Sequence, residues 1–114
     1  MSSLTNFVKM MIVHWGEIAA AATGGNITYS WQNGPGLMTG GQAVSVYTLT
    51  MPANYTVPVN RRFIALTPTI ATLGAQVQYD EAASAANTVV VRGSAFGGGV
   101  LDVSFIYEIF AVSL

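Results

Sequence analysis

The chain has 114 residues, of which 52% are hydrophobic and only 8% charged, against a usual charged share of about 25%. That length suits one domain with one core and is too short for two. Four basic and five acidic residues leave a net charge of −1, which excludes the clustered Lys and Arg of a nucleic-acid partner and offers no basic face to anionic lipid. So few charges predict a surface covered in large part by other subunits. There is no cysteine, hence no disulfide framework and no thiolate metal site.

The apolar run at 7–22 is shorter than the about 20 residues of a membrane span. Lys9, His14 and Glu17 interrupt it, and no positive charge precedes it. Neither a span nor a signal peptide is expected. Asn26-Ile27-Thr28 and Asn54-Tyr55-Thr56 match the glycosylation acceptor pattern, which without a signal peptide reads as chance.

Clusters of Gly, Asn and Pro at 24–26, 33–36, 39–41, 52–54, 73–74 and 97–99 cut the chain at short intervals. The runs between them are rich in Val, Ile, Thr, Tyr and Phe. This predicts an all-β fold: an antiparallel β-sandwich of about six to seven strands. One domain covers 1–114, with 1–6 as an extended arm. The first strand is placed at 7–15. Ser2, Ser3 or Thr5 could cap a helix there, but Met11-Ile12-Val13 and Trp15 suit a strand and Gly16 breaks the run. Strands follow at 26–32, 43–51, 62–70, 76–80, 88–92 and 100–113. Residues 38–42, with their paired glycines, read as loop. In 43–51, Val44, Val46 and Thr48 alternate with Ser45, Tyr47 and Leu49. In 76–80, Val77 and Tyr79 alternate with Gln76 and Gln78. Period two gives each strand one inward and one outward face.

The last strand carries the most information. Leu101, Val103, Phe105, Tyr107, Ile109 and Ala111 form a core face. The other face begins polar and turns apolar at Ile106, Phe110, Val112 and Leu114. A strand apolar on both sides is covered on both sides. These four residues are therefore the expected oligomer interface, unless the N-terminal segment folds over them.

Candidates for chemistry are few. His14 is the sole histidine, and its nearest acid, Glu17, falls on the opposite face of a strand. It reads as structural, so no catalytic residue, metal ligand or cofactor is expected. The stretch 93–99 is glycine-rich but lacks the lysine and helix of a phosphate site, and reads as a strand connection. Arg61-Arg62 reads as a solubilising pair bridged to Asp80 or Glu81, or else as part of a polar and aromatic contact patch.

"VHWGEI", then "VSVYTLTMPANYTVPVNRRFIALTPTI", then "NTVVVRGSAFGGGVLDVSFIYEIFAVSL" together resemble the small C-terminal β-sandwich domain of bacteriophage tail fibres, similar in layout to H-type lectins. Trp15-Gly16, Leu66-Thr67-Pro68, 87–91 and 105–111 occupy that family's strand slots. The chain departs from the pattern where Met51-Pro52 and a longer loop replace Phe-Pro, and where Ile109-Phe110-Ala111-Val112 replaces Trp-Ile-Ala-Ile-Gly. The resemblance implies a non-enzymatic homotrimer in a virion, assembled in the host cytoplasm with other virion proteins and attaching to host-surface glycans. A capsid decoration protein and a free-standing lectin are the alternatives. If every strand reverses in turn, loops 16–25, 52–61 and 81–86 share one end, opposite the N-terminus. That end holds Asn54, Tyr55, Arg61, Asp80 and Glu81, the expected host-contact residues, because sugar recognition combines a stacking aromatic with hydrogen-bonding groups.

Overall fold

The computed structural model describes residues 9–20, 25–69 and 74–113. Among them it forms two antiparallel sheets and no α-helix. The strands are β1 (Lys9–Ala19), β2 (Gly25–Asn26), β3 (Thr28–Asn33), β4 (Thr39–Ala43), β5 (Val46–Thr50), β6 (Arg62–Pro68), β7 (Gln76–Tyr79), β8 (Thr88–Ser94) and β9 (Phe105–Ser113). The first sheet has the order β3-β1-β9-β6 and the second β2-β4-β5-β8-β7. The all-β, two-sheet expectation therefore holds.

The core lies between the sheets because each contributes a period-two apolar face. Ile18, Phe105, Tyr107 and Ile109 come from the first sheet, and Tyr47, Leu49, Val89 and Val91 from the second; all are fully buried. Tyr47 and Phe105 meet edge to face across the gap, with ring centroids 5.2 Å apart. Burying each such side chain stabilises the fold by about 1.5–3 kcal/mol. The Tyr47 hydroxyl accepts from the Val103 amide at 2.8 Å, so its polar end is satisfied inside the core.

Nine strands replace the expected six or seven. The paired glycines at 40–41 belong to β4, where loop was expected, and the predicted strand at 43–51 is broken by a hairpin turn at Val44-Ser45. Two features hide this in the sequence. The turn contains no glycine; instead Ser45 takes a positive φ of 59°, and its amide donates to the Asp102 carboxylate at 2.8 Å. Gly40 sits where a Cβ would run into the Thr48 carbonyl, so its glycine serves close strand packing. The predicted 26–32 strand divides at Ile27 into β2 and β3. Strand β9 starts at Phe105, later than expected, leaving Val100 in a single bridge to Ser94. The predicted helix-or-strand segment is strand from Lys9 onward, four residues past Trp15. Residues 1–6 and Leu114 lie outside the described residues.

Adding β4 changes which end each strand points to. Lys9 pairs with Ser113 and Arg62 with Ala111, so the start of β1 lies at the end carrying the 51–61 and 80–87 connections. The chain leaves β1 at the other end, where the Ala20 amide donates to Ser104. The expected grouping of loop 16–25 with 52–61, and of the N-terminus with the opposite end, is thereby corrected. The physical reason is that one extra hairpin strand reverses the direction of everything before it relative to everything after it.

A bulge in β1 sets the outward face of the first sheet. Ile12 pairs with Phe110 and His14 with Ile109, so Val13 is the extra residue. Met10 and Ile12 therefore face outward before the bulge, and Trp15 and Glu17 after it. His14, Gly16 and Ile18 turn inward and are buried.

Candidate functional site

The outward face of the four-stranded sheet is its most distinctive surface. Three of the expected interface residues, Ile106, Phe110 and Val112, lie there and are half-buried. Cross-strand register places Phe63 and Ile12 on either side of Phe110, and Met10 beside Val112. Phe63 packs against Phe110 with ring centroids 5.8 Å apart. One step along, Trp15 lies between Asn33 and Glu108, and Glu17 between Trp31 and Ile106. Met10 is 55%, Phe63 49% and Trp31 41% exposed. Aromatic and methionine side chains grouped on one face are the composition of an interaction surface. The sequence reveals β9's half of this patch through its period. The halves from β1, β3 and β6 are invisible without the register and the two bulges, the second of which sets Trp31 rather than Ser30 opposite Glu17.

The five expected contact residues lie on neighbouring connections at one end. Asn54 and Tyr55 occupy a 3-10 turn at Ala53–Tyr55, and Arg61 closes another at Val59–Arg61; all three are exposed. Arg62 stitches this segment to its neighbours. Its guanidinium donates to Val57 O, to Thr88 O at 2.7 Å, to Ala85 O at 3.0 Å and to the Tyr79 hydroxyl at 3.3 Å. The Met51 amide adds a bond to Asn87 O at 2.8 Å. The expected bridge from Arg61-Arg62 to Asp80 or Glu81 is not formed. Asp80 pairs instead with Arg92 at 2.6 Å, since residue 78 of β7 lies directly across from it and brings the two side chains together. Carbonyls, not carboxylates, surround Arg62.

The Arg92 hydrogen bond, helped by the Ala83 amide, holds the Asp80 carboxyl below its ordinary range. A folded pKa depressed in this way contributes stability above the unfolded value, and the contribution is lost as pH falls through the folded value. Asp80→Asn should therefore flatten the dependence of the urea midpoint on pH below about pH 4. An unchanged acid limb would remove Asp80 from the acid sensitivity of the fold.

His14 is fully buried, and its Nε2 lies 2.8 Å from Tyr55 O. It thereby ties the core of β1 to the 53–55 turn. No group of three or more His, Cys, Asp or Glu stands together among the described residues. No helix among them is long and apolar enough to cross a membrane. An open cleft of about 640 Å³ lies at the opposite end, lined by Gln76, Gln78, Arg92, Ser94 and the 98–100 loop. No protein-family model, curated protein or solved structure matches the chain.

Proposed function

We propose that this chain is a bacteriophage virion module of the tail-fibre-tip kind. It is a non-catalytic β-sandwich that works as a homotrimer with other virion proteins and attaches to a host-surface glycan. The virion setting rests on the sequence resemblance. The assembly half rests on one observation: Met10, Ile12, Phe63, Ile106, Phe110 and Val112 share the outward face of the four-stranded sheet. An apolar face this broad favours contact with protein over contact with water. The attachment half is supported by Arg62, which anchors the turns bearing Asn54, Tyr55 and Arg61 next to Asp80 and Glu81. A firmly held end of mixed polar and aromatic side chains suits sugar recognition.

Phe110→Asp tests assembly. It puts a carboxylate beside Phe63 and Ile12, at a cost of several kcal/mol if the face is dry in the assembly. Sedimentation should show monomer; an intact trimer would sink the assembly half. Immunogold labelling of purified particles tests the setting. Label on tail tips supports the proposal, label on capsids turns it into a decoration protein, and unlabelled particles leave only a free lectin.

A further inference from the structure

Two carboxylates stand inside the apolar face. Glu17 lies between Trp31 and Ile106, and Glu108 between Trp15 and Ala65. Both are half-buried. They are diagonal neighbours on adjacent strands, roughly 7–8 Å apart. Among the described residues the one ion pair joins Asp80 and Arg92, so neither glutamate has a cation. Each also lies beside an indole, whose electron-rich face attracts positive charge. A partner on this face must bring a cation with apolar flanks.

The chain carries such an element. Arg92 is taken by Asp80 and Arg62 by backbone carbonyls. Lys9 and Arg61 remain without an anion among the described residues. Lys9 opens β1, where it pairs with Ser113 at the end of β9. Met10 and Met11 point to opposite faces there, yet are 55% and 68% exposed. A small apolar groove runs along this ribbon between Lys9, Met11, Ala111 and Val112. The ribbon therefore offers exposed apolar side chains with an ammonium beside them.

We infer that a second copy of this chain docks on the outward face by its Lys9–Met11 ribbon, placing the Lys9 ammonium between Glu17 and Glu108. The contact is head to tail. Each copy uses its face toward one neighbour and its ribbon toward the other, so the geometry builds a ring or a filament. A face-to-face pair is disfavoured because it would gather both glutamates of each copy in one interface without a cation. This inference rests on the assembly proposed above and specifies which surfaces meet.

Charge exchange tests it on the full chain. Lys9→Glu and Glu108→Lys should each weaken self-association by tenfold or more, as measured by analytical ultracentrifugation. The double variant should recover most of the wild-type affinity, because every interface again joins unlike charges. Circular dichroism checks that each variant is folded. Wild-type association should also weaken between about 0.05 M and 1 M salt, where the Debye length shrinks to about 3 Å. If Phe110→Asp dissociates the assembly while the charge variants and salt leave it unchanged, the head-to-tail contact is wrong and the assembly reading survives. If the wild-type chain is monomeric throughout, both fall.

Discussion

Replacing Arg62 by methionine should lower the stability of the folded chain by about 3 kcal/mol, read from the urea midpoint at constant m-value. Methionine keeps much of the aliphatic stem but removes every donor. The carbonyls of Val57, Ala85 and Thr88 and the Tyr79 hydroxyl then lose a common partner. Hydrogen bonds to a charged group contribute about 1.5–3 kcal/mol each when taken singly. Their sum is not reached here, because some of these carbonyls turn to water once the side chain is gone. Lysine keeps the charge and loses the planar fork, so Arg62→Lys should recover only part of the loss. Three segments depend on this one side chain: the 51–61 connection, β7 and the loop before β8. The same variant should therefore raise amide exchange at 53–57 and 85–88 more than elsewhere. A midpoint shift worth less than about 1 kcal/mol would mean that Arg62 decorates the end and does not hold it.

Gly16→Ala should cost at least as much, about 3 kcal/mol or more, and for a different reason. Gly16 lies in the interior of β1, flanked by β3 and β9. A Cβ there would sit 2.5 Å from the Trp31 carbonyl oxygen and 2.8 Å from the Tyr107 hydroxyl. The first contact is backbone within a paired strand and cannot swing aside. The second is the end of a fully buried ring packed edge-on to Tyr29, at 6.0 Å between centroids. Burial pushes the pKa of Tyr107 well above its ordinary value, so the ring stays neutral beside this glycine. Gly41→Ala is the control. It lies on β4 of the other sheet, and its nearest neighbour would be 3.6 Å from the new Cβ. That variant should melt within a few degrees of wild type, whereas Gly16→Ala should lose ten degrees or more for a domain of about 100 residues. Equal melting temperatures for the two variants would show that β3 yields around Gly16.

The alternation of Phe105, Tyr107 and Ile109 with Ile106, Glu108 and Phe110 needed no coordinates to read. A strand's side chains switch sides at every residue, so its two faces are written in its own sequence. The same holds for Val77 and Tyr79 in β7, and for the all-β class, which follows from many short apolar runs between turn residues. What depends on pairing between distant segments was not legible. Gly40 and Gly41 look like loop because glycine is a poor strand former, yet β5 recruits them as β4 by ladder bonding that outweighs their propensity. Ser45 turns the chain without a glycine because Asp102, far away in sequence, accepts its amide. That hidden hairpin reversed the predicted placement of the N-terminal side. Arg62 met carbonyls where a carboxylate was expected, since the end of one strand and the loop before another converge on it. The bulge at Val13 decided the rest. It brings Trp15 and Glu17 onto the same face as Phe110, joining short apolar patterns from four strands into one surface. Period fixes which residues of a strand share a side; only register, set by the packing of both sheets, fixes which strands' sides become neighbours.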